Sequence, residues 1–489
     1  MMRKAMEFQG RLDCDGITSV HLNLECRDEI IPILRSLQQV YSQPVLRDQI
    51  LESIAKDVNS DSRSDRGREG LDYWQILVLS AIRQGCALDY DKLQDLAEQH
   101  RALRQIMGVG DWDEDTSFNW RRIQDNVCLL SPSTIEQISH LIVKEGHRLC
   151  PVAVEHVRAD SFVMETNIHY PTEATLISDG IHQILKWAVR LASLVNAKGW
   201  RQAKHLEKTI RQLTREIQRI AARKGPNYQE RLKRKYQKLI KQAVKVSQRA
   251  RRMENKVSSS KKAVLLASHA GPLKHFLDLT DQVLQTATRR MLRGETVPND
   301  EKLFSIYETH TQLYKRGKAG EPIQFGRLVL VYEDAAGFIV HQHLLSRKET
   351  DRDVVVEQTK IVVDRLGDQL KSVSFDRGFH SPEIQDELAQ LVPTVCIPKP
   401  GEKQAKTQVE QATVEFRAAH QRHSGVESAI GALQAGNGLE RCHDRTERGF
   451  ARCLALGVLG RNLQVLGKLL IAQQSAKSHS AFSKRRDAA

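Results

Sequence analysis

Val157-Arg158-Ala159-Asp160-Ser161 and Ser374-Phe375-Asp376-Arg377-Gly378-Phe379 decide how this chain reads. Each has strand character and runs into an aspartate. In the second, Val373 and Phe375 alternate to one side and Asp376 to the other, the period-two pattern of a strand. A third acid, in Ser424-Gly425-Val426-Glu427-Ser428-Ala429-Ile430-Gly431, opens an apolar helix. Strand ends are rigid mounts. Three carboxylates placed this way can hold two divalent cations, which is what phosphoryl transfer needs. Taken singly, each acid has a plainer explanation. Asp160 suits a strand-end surface acid, and Asp376 before Arg377-Gly378 suits turn chemistry. Glu427 suits the last position of a Ser424-x-x-Glu427 capping box.

Outward from these segments, residues 152–160 and 162–168 read as one bent strand, and a helix is expected over 173–197. The composition then changes. Leu206, Ile210, Leu213, Ile217 and Ile220 recur at steps of four and three, Lys224-Gly225-Pro226-Asn227 interrupts, and Leu232, Tyr236, Leu239, Ala243, Val246, Ala250 and Met253 resume the spacing. That is an antiparallel helical hairpin. Residues 198–262 hold 22 Lys and Arg against four Glu, a net of +18 that exceeds the +14 of the whole chain. A helical face of nearly one sign repels itself, and a bound polyanion relieves this. The plainer reading is a basic helical spacer.

After a Ser/Lys-rich linker at 257–262, helix is expected to about 314, then a loop at Lys315-Arg316-Gly317-Lys318-Ala319-Gly320. Phe325–Glu333 and Phe338–Leu345 read as a strand pair across Asp334-Ala335-Ala336-Gly337. A helix over 350–366 ends at Gly367, and a short strand runs over 371–376. Ser381-Pro382 starts another helix. A last strand lies at 393–398, and helices follow at 424–435 and 446–472. The tail from Ser475 reads as disordered.

The N-terminal part reads as helical over 27–40, 44–56, 71–85, 89–100, 116–130 and 133–148, with a capping box at Ser133 and Glu136 and a polar linker at 59–67. It fits a helix-turn-helix type module or a plain bundle. A chain of 489 residues suggests several domains. The positive net charge points to nucleic acid before an anionic membrane. No apolar stretch is read as approaching the roughly 20 residues that span a bilayer, and no signal peptide is read. Eight cysteines stand singly without a CxxC pair, so neither a zinc knuckle nor a disulfide framework is expected. Reduced thiols fit a cytoplasmic protein.

Without the helical insertion, the element order is that of an RNase H-like fold. Asp160-Ser161-x-x-x-Glu165-x-Asn167-Ile168-His169-Tyr170-Pro171-Thr172 resembles the first-aspartate motif of bacterial insertion-sequence DDE transposases, and Ser374-Phe375-Asp376-Arg377-Gly378-Phe379 resembles their second motif. Arg422-x-x-x-Val426-Glu427-x-x-Ile430-Gly431 is similar to their glutamate helix. Trp120-Arg121-Arg122-Ile123-x-Asp125-Asn126 resembles their N-terminal module, and Lys315-Arg316-Gly317-Lys318 with Phe325-Gly326 resembles the segment before the second strand. The long first spacing, 216 positions from Asp160 to Asp376 against 51 from there to Glu427, is most like the unclassified insertion-sequence group. Two departures stand out: His423 is the nearest basic residue before Glu427, and Gln434 replaces the basic residue that some relatives carry after it.

The resemblance implies an α/β chain: an RNase H-like mixed sheet interrupted by a long helical insertion and preceded by an all-α N-terminal module. The expected divisions are 1–150 for DNA binding or dimerisation, 151–198 and 321–473 for the catalytic domain, 199–320 for the insertion, and 474–489 for the tail. Asp160, Asp376 and Glu427 are the implied catalytic and metal-binding residues for two Mg²⁺ ions, with Mn²⁺ as a substitute. Arg377, Lys399, Arg422, His423, Lys315, Lys318, Arg211, Arg215, Lys235, Lys238 and Lys241 are candidate DNA contacts. Expected partners are the element's terminal inverted repeats, target DNA and a second copy of the chain at the nucleoid, with no membrane. The alternatives are an RNase H-like nuclease without strand transfer and an inactive DNA-binding regulator. Glu165 reads as a fourth acid or a cross-strand salt-bridge partner. His169 reads as a phosphate contact or a strand end, and Trp200 as a base-stacking or core residue.

Overall fold

A computed structural model describes residues 12–59, 70–113, 115–259, 263–315, 323–399 and 413–487. Most of the expected 59–67 linker and Lys318 lie outside the described residues. The chain divides into two compact units, Met1–Glu165 with Leu328–Ala489, and Thr166–Arg327.

The first unit opens with helices α1 (Ile30–Ser42), α2 (Pro44–Asn59), α3 (Tyr73–Gly85), α4 (Tyr90–Gln99), α5 (Arg101–Ile106), α6 (Trp120–Val127) and α7 (Pro132–Leu149). The capping box expected at Ser133 and Glu136 is corrected: Ser131 caps α7, accepting from the Thr134 N–H, with Pro132 in the first turn. Strand β1 (His156–Thr166) is continuous. Strand β2 lies in the other unit. β3 (Gln324–Asp334), β1, β5 (Ser372–Phe375) and β6 (Thr394–Cys396) lie side by side in that order, β4 (Ile339–Leu344) pairs antiparallel with β3, and β7 (Arg441–Cys442) pairs with β1. β1 runs parallel to β5, and β5 to β6. The sheet is therefore mixed. Val157, Ala159, Val373 and Phe375 are buried on one face. There Phe375 meets Tyr332, whose hydroxyl donates to the Val355 carbonyl of α12 (Asp351–Leu366).

Helices α13 (Pro382–Ala389), α14 (Val414–His423), α15 (Val426–Gly431) and α16 (Glu447–Asp487) complete the unit. Neither α14 nor β7 is legible from apolar periodicity: α14 has one buried residue, Ala419, and β7 is two residues long. The tail expected to be disordered from Ser475 continues α16 to Asp487, because neither Gly nor Pro follows Gly467 to stop it.

α16 is the axis of this unit, packing against α1, α3 and α7. The expectation that no stretch approaches spanning length is corrected here. Glu447–Lys477 is long and apolar enough to cross a membrane by length and composition, holding an 18-residue window of mean hydropathy 1.4. That window is 78% buried within the protein, as for a core helix that is apolar all round. Its glycines set how closely its neighbours approach. A Cβ on Gly460 stands 2.6 Å from the Gly85 Cα of α3, and one on Gly467 overlaps the Pro32 carbonyl of α1. Buried Asn437 and Gln464 both donate to the Gly85 carbonyl at this crossing.

The second unit holds α8 (Glu173–Leu194), α9 (Ala203–Arg223), α10 (Tyr228–Ser258) and α11 (Ala263–Ala287). The heptad positions Ile210, Ile217, Tyr236, Leu239, Ala243, Val246 and Ala250 are buried in one core with α8 and α11. The turn between α9 and α10 uses left-handed Lys224 and Asn227. Trp200 is buried in the same core, with the Arg249 guanidinium 4.7 Å from its ring. The helix expected to about 314 is corrected. It stops at Ala287, a short π-turn follows to Leu292, and Gly294 takes a positive φ of 73°. β2 (Gln312–Tyr314) then pairs antiparallel with the start of β3.

Replacing Gly460 by Ala is expected to lower the melting temperature, because the facing atoms are main chain and cannot swing aside. Overpacking of this kind costs about 1–3 kcal/mol. Thermal unfolding followed by circular dichroism checks this, and an unchanged midpoint contradicts the close helix crossing.

Candidate active site

β1 and β5 pair in parallel with His156 beside Ser372, Val157 beside Val373, Arg158 beside Ser374 and Ala159 beside Phe375. Asp160 and Asp376 each come one residue after the last paired rung, Asp160 still in β1 and Asp376 just past the end of β5. Strand alternation puts both on the face opposite buried Ala159 and Phe375. This face is polar along its rungs. The His156 ring is 2.9 Å from the Ser372 hydroxyl, and the next rung holds Arg158 and Ser374. Asp160 is half-buried and Asp376 exposed.

Both aspartates turn one oxygen back to the main chain. Asp160 Oδ1 accepts from the Ser161 N–H at 2.7 Å, and Asp376 Oδ1 accepts from the Arg377 N–H at 2.7 Å. Ser161 faces the other way and donates to Asp351 Oδ2 at 2.8 Å, which places that acid on the opposite side of the sheet. Arg352 holds the turn after Asp376 by donating to the Gly378 carbonyl.

Glu427 lies on α15, which covers the same face as the aspartates. Ile430 and Leu433 of this helix pack in one cluster with Phe162 and Met164 of β1, and Glu427 is one helical turn before Ile430. The Ser424-x-x-Glu427 capping box does not form. Gly425 is the N-cap and offers no side chain, while the Ser424 hydroxyl donates to the Gln421 carbonyl. The plainer explanation of Glu427 therefore falls away.

Asp160 and Asp376 suit a hard divalent cation: they are carboxylates at the end of one parallel strand pair, half-buried and exposed respectively. Among the described residues, no three His, Cys, Asp or Glu side chains are grouped closely enough to hold a metal, so the three acids do not form such a group here.

The other candidates fall into separate places. Arg377 is exposed beside Asp376, and Lys399 is half-buried after β6. Arg422 supplies its main-chain carbonyl to Arg158 Nη1 at 2.8 Å. The His423 ring is 3.3 Å from the Ser374 hydroxyl. Burial pushes that ring below its usual range, against the pull of the Asp376 carboxylate. Glu165 forms a cross-strand ion pair with Arg441 at 2.7 Å. In the helical unit, exposed His169 is 3.4 Å from Asp179, and Lys315 is exposed. Arg211 pairs with Glu207 and Lys235 with Glu216, while Arg215, Lys238 and Lys241 are exposed. The hydrogen-bonded Lys235 ammonium holds the Glu216 carboxyl below its usual range. A hollow of about 460 Å³ along α9 is lined by Lys204, Lys208, Arg211, Arg215 and Arg219 with two glutamates.

Sequence reasoning missed Arg158, Glu333 and Gly425. Arg158 was in the opening motif, and alternation alone would have set it on the face of Asp160. Glu333 and Gly425 carry no such signal.

Residues 294–463 match the family model for the transposase DDE domain. The match spans about a third of the chain, and over that segment the chain is similar to the transposase DDE domain. The match takes in Asp376 and Glu427. Asp160 lies ahead of it and is joined to it by the pairing of β1 with β5. No curated protein and no solved structure matches the chain.

If Glu427 has no capping role, Ser424→Ala should change stability by no more than about 0.5 kcal/mol. Ser381→Ala, which removes the hydroxyl that accepts from the Ile384 N–H, should cost about 1 kcal/mol. Urea midpoints of the two variants compare them directly; equal losses would restore the capping reading.

Proposed function

We propose that this chain is a DDE transposase that cuts DNA at the terminal inverted repeats of its own element and joins the freed ends to target DNA. What supports the reading is the parallel register of β1 and β5, which brings Asp160 and Asp376 one residue past the same last rung, with the helix bearing Glu427 packed in one cluster with β1. The strand order, with parallel β1, β5 and β6 and an antiparallel β3–β4 pair, supports an RNase H-like core.

Asp160, Asp376 and Glu427 would hold two Mg²⁺ ions, with Mn²⁺ as a substitute. When bound, these neutralise charge on the phosphate and activate the attacking oxygen. The chain's own part is positioning. The sheet would hold the two aspartates rigidly, Arg377 would meet phosphate beside Asp376, and Lys399 would serve the neighbouring strand end. Water attacks first and leaves a 3′-hydroxyl, which then attacks target DNA. Both element ends must be held at once, so the working form is a dimer or larger assembly.

The basic α9–α10 hairpin is proposed as the DNA-gripping arm, with Arg211, Arg215, Lys235, Lys238 and Lys241 along the backbone and Lys315 nearby. Its positive surface is the electrostatic footprint expected of such a contact.

Asp160→Ala and Asp376→Ala should each lower Mg²⁺-dependent cleavage of terminal-repeat DNA by on the order of a thousandfold, as loss of a metal ligand costs several kcal/mol of transition-state stabilisation. Full cleavage by both variants would remove the catalytic assignment. Cleavage without joining of a pre-cut end would leave a nuclease, and binding without either would leave a regulator.

The arm makes a separate prediction. Changing Arg215, Lys238 and Lys241 together to Gln should flatten the dependence of log affinity on log salt by about 0.9 for each phosphate that the arm no longer neutralises. Fluorescence anisotropy over a salt series measures the slope, and an unaltered slope rules the arm out.

A further inference from the structure

We infer that Arg158 is a positioning residue that docks the turn carrying Glu427 onto the strands carrying the two aspartates. The inference rests on the catalytic reading above and assigns a task to a residue outside the three acids.

The geometry has two anchor points, both one strand repeat before the aspartates. Arg158 stands two residues before Asp160 and Ser374 two before Asp376, and the two are register partners. Arg158 Nε donates to Glu333 Oε2 of β3 at 2.5 Å, and its Nη1 donates to the Arg422 carbonyl at 2.8 Å. Ser374 meets the His423 ring. Arg422 and His423 are the last two residues of α14, whose final carbonyls have no partner within the helix. The Arg422 carbonyl already accepts from the Gly425 N–H at 3.2 Å, and the Arg158 guanidinium adds a second donor there and complements the negative end of the helix. The turn thus ends one helix on β1 and β5 and begins the next, with Glu427 two residues after Gly425.

Gly425 makes the close approach possible. Its φ of −73° and ψ of −11° suit any residue, so its glycine character is not needed for conformation. It is needed for room, because a Cβ built there overlaps the Arg158 guanidinium. Arg158 cannot slide away, since its other side is held by Glu333, which is 1% exposed and also faces Arg461 at 3.8 Å. Burial pushes the Glu333 carboxyl up, and the hydrogen-bonded Arg158 guanidinium pulls it back toward the charged form. A planar fork of donors can serve Glu333 and the Arg422 carbonyl together; a lysine ammonium at the same place cannot span both.

The test uses the full chain with Arg158→Lys, Gly425→Ala and Glu427→Gln, each checked for wild-type folding by circular dichroism. Mn²⁺ binding is read by electron paramagnetic resonance without DNA, and cleavage kinetics are measured on terminal-repeat DNA. Misplacing an acid through its support should weaken Mn²⁺ binding about 10–100-fold. It should lower kcat by a similar factor while KM for DNA stays unchanged. Gly425→Ala leaves every donor in place, so it carries the test if Arg158→Lys fails to fold. The inference is overturned if the folded variants bind Mn²⁺ and cleave like wild type while Glu427→Gln is inactive. Full cleavage by Glu427→Gln would instead sink the catalytic reading, and this inference with it.

Discussion

The parallel pairing of β1 with β5, in the register that sets Ala159 beside Phe375, is the constraint on which the candidate site depends. Parallel strands need a long crossover between them, and this chain spends more than two hundred residues on it. The pairing is held by the apolar face: Val157, Ala159, Val373 and Phe375 are buried together, and Phe375 is braced by Tyr332 and Phe379. A slip of β5 by one residue would turn Val373 and Phe375 to the polar face and carry Asp376 toward the core. Hydrophobic burial on one face therefore fixes the chemistry on the other.

The polar face uses successive rungs for different tasks. His156 and Ser372 close on each other, Arg158 and Ser374 hold the turn between α14 and α15, and Asp160 and Asp376 follow. Beyond them Phe162 and Met164 anchor α15 by apolar contact. The helix that carries Glu427 is thus held on both sides of the acid, by polar contacts before it and apolar ones after it.

The positive charge is concentrated elsewhere, in a helical unit with its own core. The heptad residues of α9 and α10 pack inward with α8 and α11, which leaves the lysines and arginines outward. Four glutamates offset only part of that repulsion. In the proposed function, bound DNA supplies the rest.

Local pattern was enough to read much of this from sequence. The 4-3 spacing around Lys224–Asn227 specifies the hairpin, because helix amphipathicity is carried by neighbours three and four apart. Alternation in Ser372–Phe375 specifies a strand with Asp376 leaving it. The same local reasoning left a capping box as the plainer alternative for Glu427, and that box does not form, since Ser424 turns its hydroxyl to Gln421 instead. It also ended α16 too early and passed over its length. The tertiary structure alone decided three things. The register of β1 against β5 depends on residues far apart in the chain. The room at Gly425 is set by a guanidinium from another strand, while its backbone angles ask for nothing unusual. The place of α16 at the axis of its unit rests on glycines that meet other main chains. Sequence period shows which face of an element is apolar. Which surfaces meet, and at what offset, is settled only when those faces are buried against one another.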